Sequence, residues 1–511
     1  MVVTGKKNGD YIVDTTCGKI RGYRMYNDII SFKGIPYAEP PIGELRFRAP
    51  LPRSKWDDIF DAKHFGPIAP QPSIGLASSQ IEKPEQSEEG CLTLNVWTPA
   101  LDNKKRTVMF WIHGGAFEMG NGQFNGEILA KRGDVVIISI NYRLGALGFL
   151  YVPGKTANVG LLDQVLALKW VKDNINNFGG DKNRVCIFGE SAGGESISAL
   201  MAMPSAKGLF KRAIIQSNVC DPYNLKPSQG SLYSKKVFEH TRVEYDDLES
   251  LRETPVKKLI RAYSRVQQDL SHLPMIIDYY PPYVDGKILP ESPFEAIKSG
   301  SMKNIEILAG SNENEYKLWN LWDPKANTIT EEQVHQNFQT FLKYLGQSKQ
   351  KINEFIDVYK NASVNEFSTI ERDMMDNFYT DVMFRIPVMR FLELQSKFQP
   401  NVYLYLFRWK SPWQNGKLGA YHGLDVAFVW GILSETVGPF ITKRTEETNL
   451  LSNQMMDCWI NFAKSGNPNH QGIPKWPVYN PKTRATMIFD KKTEVVIDPL
   501  SNARSIWDGV F

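Results

Sequence analysis

Between Arg184 and Met203 the chain reads Arg-Val-Cys-Ile-Phe-Gly-Glu-Ser-Ala-Gly-Gly-Glu-Ser-Ile-Ser-Ala-Leu-Met-Ala-Met, a run that leaves few folds open. Val185 to Phe188 is a short apolar stretch suited to a buried strand. From Ala192 onward, small residues with Leu and Met favour a helix. Gly189 and Gly193 flank Ser191 at minus two and plus two. Lacking Cβ, they let the chain turn sharply from strand to helix. Such a turn exposes the hydroxyl of Ser191 and aims it at a helix start, where free N–H groups can receive developing negative charge.

The rest of the chain repeats this grammar. Leu92–Trp97, Val108–Ile112 and Val135–Ile140 are apolar runs, and the second has no alternation, as expected of a strand covered on both faces. Apolar residues at 161, 165, 168, 171, 175 and 178 form a helical stripe that Gly179-Gly180 ends. With Val185–Phe188, Arg212–Gln216, Ile305–Ala309 and Val402–Phe407, the pattern is α/β, with a central, mostly parallel sheet flanked by helices. Tyr11 to Pro36 reads as antiparallel hairpins, and proline-rich 38–84 as a long loop. Segments 223–296 and 328–398, including the amphipathic Ile370–Leu394, read as helical insertions. No Gly/Ser-rich linker divides the chain, so a single catalytic domain over 1–511 is expected.

Composition excludes some function classes. The 60 Lys and Arg against 56 Asp and Glu are interspersed and form no basic tract, so nucleic acid is not an expected partner. The N-terminus has no apolar core of signal-peptide length, and the longest apolar runs are strand-sized, so no membrane span is expected. Cys17, Cys91, Cys186, Cys220 and Cys458 lie far apart without a Cys-x-x-Cys pair, which argues against a zinc site or disulfide framework and for the reducing cytoplasm. A monomer is expected.

A serine hydroxyl needs a base. Of seven histidines, two stand out. His113 opens His-Gly-Gly-Ala-Phe after Val108–Ile112. There two glycines leave N–H groups free to donate to an oxyanion, which makes Gly115, Ala116 and Ala192 the candidate hole and His113 an orienting residue. His422, in Tyr-His-Gly-Leu-Asp after Val402–Phe407, is the candidate base, late in the chain as in the order serine, acid, histidine. The acid should follow Ile305–Ala309, where Glu313 and Glu315 both qualify and spacing does not choose between them.

At this point the chain resembles a type-B carboxylesterase with the α/β-hydrolase fold, and bacterial para-nitrobenzyl esterase-like members more closely than cholinesterases. The likeness runs through Phe32-Lys-Gly-Ile-Pro-Tyr-Ala, Leu45-Arg-Phe-Arg-Ala-Pro, Trp111-Ile-His-Gly-Gly-Ala-Phe, Asn141-Tyr-Arg-Leu-Gly, Gly160-Leu-Leu-Asp-Gln, Phe178-Gly-Gly-Asp and Phe188-Gly-Glu-Ser-Ala-Gly-Gly. The resemblance places Glu315 on the family's catalytic glutamate and His422 on its histidine. It also implies a structural ion pair between Arg46 and Glu89, and an auxiliary hydrogen-bonding role for Ser217. The chain departs from the pattern at Tyr316, Gly90 and Asn218, where relatives carry glycine, aspartate and glycine, and at Ala69, where many carry the cysteine that pairs with the counterpart of Cys91.

The resemblance implies hydrolysis of small-molecule carboxylic esters through an acyl-enzyme on Ser191, without metal or organic cofactor. An amidase or peptidase with the same triad, and a non-catalytic neuroligin-like interaction protein, are the competing readings. Phe117, Phe124, Leu318, Trp319, Leu321 and Trp322 flank the candidate loops and are the expected pocket residues.

Overall fold

The unalternating apolar runs become the middle strands of one sheet. In a computed structural model, which describes residues 9–72, 84–220, 226–270, 282–323, 328–363, 368–434 and 442–510, thirteen strands occur among the described residues. They are β1 (Asp10–Asp14), β2 (Lys19–Arg24), β3 (Ile30–Pro36), β4 (Phe60–Asp61), β5 (Thr93–Thr98), β6 (Arg106–Ile112), β7 (Val136–Ile140), β8 (Gly180–Glu190), β9 (Arg212–Gln216), β10 (Glu306–Asn312), β11 (Val402–Phe407), β12 (Ala485–Phe489) and β13 (Glu494–Ile497). Their order across the sheet is β1-β2-β3-β5-β7-β6-β8-β9-β10-β11-β12-β13, with β4 beside β2. From β7 to β12 every pairing is parallel, whereas the β1–β2, β2–β3, β3–β5, β5–β7 and β12–β13 pairs are antiparallel, and β4 joins β2 in parallel. The expected mostly parallel centre and N-terminal hairpins are both present, and helices pack on both faces of the sheet, the arrangement that the resemblance to an α/β-hydrolase implies.

The two-residue period of a strand divides the core. Phe110, Ile187, Ile215, Ile307 and Leu404 face one side of the sheet, where the helix Ala192–Ala202 packs with Ile197 and Leu200. Trp111, Phe188, Ile214, Leu308 and Tyr405 face the other, against Met455 and Trp459 of the helix Glu446–Ser465. A third apolar cluster joins the helices Glu331–Tyr344, Lys349–Ala362 and Ile370–Thr380 through Phe338, Phe355 and Phe378, with Trp507 from the C-terminal segment.

Some expectations are adjusted. The amphipathic stretch Ile370–Leu394 is not one regular helix: a turn of π-helix at Asp381–Arg385 separates Ile370–Thr380 from Ile386–Gln395. Pro387 has no N–H to give the carbonyl four residues earlier, so regular pairing cannot continue through this point. Arg46 pairs with Glu88, not Glu89. Its Nε and Nη2 reach the Glu88 carboxylate at 2.6 and 2.5 Å, and its Nη1 donates to the carbonyls of Arg252 and Thr254. The Glu88 side chain is buried with Arg46, whereas Glu89 is exposed on the adjoining turn. All five cysteines are free and buried.

Two of the sequence motifs meet in one ion pair. Asp163 Oδ2 accepts from the backbone N–H and Nε of Arg143 at 3.0 and 2.8 Å, and Asp163 Oδ1 accepts from Nη2 at 2.6 Å, with both side chains out of solvent. Asp163→Asn would strand a buried guanidinium and is expected to lower unfolding free energy by about 3–5 kcal/mol. Urea denaturation of the variant beside the parent checks this, and an unchanged midpoint would refute it.

Candidate active site

Parallel pairing brings the carboxyl ends of β6, β8, β9, β10 and β11 to one edge of the sheet. Ile112 lies beside Gly189, Glu190 beside Gln216, and Asn312 beside Phe407. The chain leaves these ends at His113, Ser191, Ser217, Glu313 and Arg408, so most candidate residues gather by strand register alone.

Ser191 sits on the expected elbow. Its φ of 57° and ψ of −126° lie outside the ordinary regions for a side-chain-bearing residue, and it caps the helix Ala192–Ala202. Its N–H donates to Gln216 O at 2.9 Å, tying the turn to β9. The turn closes because the glycine loop can approach it. A Cβ on Gly114 would lie 2.5 Å from Glu190 O and 3.0 Å from Ser191 Cβ, and one on Gly193 would lie 2.1 Å from Ile112 O. Gly115, Ala116 and Phe117 all have positive φ, and Gly115 O accepts from the N–H groups of Glu118 and Met119. The N–H groups of Gly115 and Ala116 have no acceptor among the described residues.

His113 orients this loop. Its ring stacks on Tyr142 at 4.4 Å, and Tyr142 OH donates to His113 O at 2.8 Å. Burial pulls His113 down to about 4, so it is neutral at physiological pH.

Glu315 and His422 are held by a zipper of loops. Asn314 N–H donates to Ala420 O at 3.0 Å, Ala420 N–H to Asn314 Oδ1 at 3.1 Å, and His422 N–H to Glu315 O at 3.2 Å. Glu315 is fully buried; its Oε1 accepts the Asn312 N–H at 2.7 Å and its Oε2 lies 2.7 Å from His422 Nδ1. Glu313 points elsewhere, paired with Arg408 Nε at 2.8 Å.

The other ring nitrogen, Nε2, faces Glu190 Oε1 at 3.1 Å, and no hydrogen bond joins it to Ser191 among the described residues. Burial works against the imidazolium, but the carboxylates of Glu190 and Glu315 outweigh it and push His422 up to about 9. Burial also pushes Glu190 up to about 7, against the pull of His422. Beneath them lies Asp425, raised by burial and held by Gln216 Nε2 at 2.8 Å and Tyr405 OH at 2.9 Å.

The remaining candidates scatter. Ser217 is fully buried with φ of 69°, and its Oγ has no hydrogen-bond partner among the described residues. Phe117 is buried against Phe149, Phe124 packs on Trp111 and Trp430, and Leu318 is buried. Leu321 packs half-buried on the core, and Trp322 is 46% exposed. Trp319 lies against the His422 ring at 5.1 Å. Sequence reasoning passed over Glu190, which stood in the quoted motif as a spacer, and Asp425, three residues after His422. It also passed over Phe384, 4.8 Å from the His422 ring, which carried no motif signal. Among the described residues no group of three or more His, Cys, Asp and Glu is placed to hold a metal, and no helix is long and apolar enough to cross a membrane.

Residues 9–507 match the carboxylesterase family. The chain is 36% identical over 506 residues to the para-nitrobenzyl esterase of Bacillus subtilis, covering 96% of this chain and 97% of that one. It is 34% identical over 501 residues to the phenmedipham hydrolase of Pseudarthrobacter oxydans, covering 95% and 97%. Among solved structures, a thermophilic PNB esterase superposes with a TM-score of 0.85 at 34% identity, covering 98% of this chain and 99% of that one. A Geobacillus stearothermophilus carboxylesterase superposes with a TM-score of 0.84 at 35% identity, covering 97% and 99%.

Glu190 supports the imidazolium, so removing its charge must favour the neutral ring. In Glu190→Gln, the acid limb of kcat/KM for para-nitrophenyl butyrate is expected to move to lower pH by about one pH unit or more. A limb that stays in place or moves upward would contradict the electrostatic reading.

Proposed function

The chain belongs to the carboxylesterase family and is a carboxylic ester hydrolase, and we propose that it works through an acyl-enzyme on Ser191. The observations that carry this reading are His422, with Nδ1 on buried Glu315 at 2.7 Å and Nε2 facing Glu190, and Ser191, the residue after Glu190, on a strained strand-to-helix turn. In the reaction, the His422 Nε2 proton passes to Glu190, and the neutral ring turns to the Ser191 hydroxyl and takes its proton as the oxygen attacks the ester carbonyl. The N–H groups of Gly115, Ala116 and Ala192 receive the oxyanion. His422 then protonates the departing alcohol, and water repeats the sequence to release the acid. Glu315 holds the imidazole in the productive tautomer and stabilises its charged form, and Asn312 fixes Glu315 from behind. No step calls for a metal or organic cofactor.

The idle hydroxyl of Ser217 is an auxiliary donor or acceptor at the same strand edge. Trp319 walls the substrate pocket beside the base. We further propose that the chain acts as a monomer and as one catalytic domain with helical insertions, because every group in the scheme comes from the same sheet edge of one chain. Its five free, buried cysteines support the cytoplasm as its compartment. The relatives make para-nitrobenzyl esters natural first substrates.

Ser191→Ala is expected to cut turnover of para-nitrophenyl butyrate by more than the ~10²–10³ typical of losing one oxyanion donor. Undiminished hydrolysis would refute the assignment. Comparing Glu313→Gln with Glu315→Gln tests the acid: only the second should remove most activity, and the reverse result would move the acid to 313.

A further inference from the structure

Tyr316 is a bulky side chain directly after the catalytic acid, at a position where the family resemblance has glycine. It lies on the 3₁₀ turn Glu315–Leu321. In a 3₁₀ turn, residues three apart eclipse, so the side chain at 316 falls directly behind the one at 319. The rings of Tyr316 and Trp319 are accordingly near-parallel, at 5.4 Å and 14°. Trp319 in turn lies 5.1 Å from the His422 ring. Behind Tyr316 stands Tyr379, at 4.7 Å, and the Arg372 guanidinium lies 5.8 Å from the Tyr316 ring centre. Tyr316 N–H donates to Thr380 Oγ1 at 3.1 Å, so both its backbone and its ring are anchored to the helix Ile370–Thr380. The π-turn that follows carries Phe384, which touches His422 at 4.8 Å and Trp319 at 5.7 Å.

We infer that Tyr316 is a positioning residue for the base: it backs Trp319 so that Trp319 and Phe384 flank the imidazole of His422. A half-buried tryptophan with a glycine behind it could turn away. With tyrosine behind it, that movement would open a void in a close-packed stack. The consequence is larger in the transition state than in the ground state. Once His422 has passed its resting proton to Glu190 and become neutral, taking the proton of Ser191 brings positive charge back beside two aromatic rings, which attract a cation. Support that appears only with that charge raises kcat and leaves KM nearly unchanged. The stack also couples the helical insertion to the base.

The inference rests on His422 being the base, so His422→Gln is measured alongside. Tyr316→Leu keeps apolar bulk but removes the ring, Tyr316→Phe keeps the ring, and Trp319→Leu removes the wall. With para-nitrophenyl butyrate well below the thermal midpoint of each variant, Tyr316→Leu should lower kcat roughly 5-fold, with KM within about 2-fold of the parent. Tyr316→Phe should stay near the parent. The double variant should be no slower than Trp319→Leu alone, because Tyr316 acts through Trp319. Unchanged kcat in Tyr316→Leu with only a lower thermal midpoint, a change confined to KM, loss of kcat in Tyr316→Phe equal to that in Tyr316→Leu, or additive losses in the double variant would each overturn the inference. An active His422→Gln enzyme would overturn the base assignment instead.

Discussion

The hydrogen-bond register between parallel strands β6, β8, β9, β10 and β11 is the constraint on which the site depends. A slip of one residue between β8 and β9 would detach the Ser191 N–H from Gln216 O and reverse the faces that Phe188 and Ile214 present. Both faces of these strands are buried in separate apolar clusters, so register is held by packing on two sides as well as by the ladder. That rigidity is what allows a serine to persist at φ of 57°. It also allows groups more than a hundred residues apart, Glu315 and His422, to meet within hydrogen-bond distance.

The same burial gives the site its electrical character. Glu190, Glu315 and Asp425 surround one imidazole where water is scarce, and their charges are supported by few compensating groups beyond His422 and neutral donors such as Asn312, Gln216 and Tyr405. Burial favours protonated carboxyls, while the imidazole favours ionised ones. Glu190 and His422 are both raised, and His422 Nε2 faces Glu190 Oε1 at 3.1 Å. A buried cluster of this kind costs stability.

Much of the fold was legible because its signals are local. The apolar run at Val108–Ile112 lacks alternation, and like Arg212–Gln216 and Val402–Phe407 it is a strand buried on both faces. Other elements carried weaker signals. The helix Glu446–Ser465 and the β12–β13 hairpin carry fewer distinctive patterns than the central strands, and the π-turn follows from a proline whose effect on the preceding residues depends on how the insertion packs. The partner of Arg46 was misjudged by one residue. Adjacent glutamates on a turn point in different directions, and only packing against Arg252 and Thr254 decides which one is inside.

What the sequence determined by itself was the elbow and the order of its partners. A glycine on each side of Ser191 dictates a sharp turn through backbone sterics alone, and the strand and helix around it follow from periodicity and composition. Tertiary structure decided what each side chain faces. Glu190 is a spacer in the motif but a partner of His422 once the loop from β11 brings that ring to it, and Tyr316 gains its surface from the helix Ile370–Thr380. The physical reason is distance: backbone turns depend on neighbours in sequence, whereas contacts across a hundred residues exist only once the strands have been brought into register.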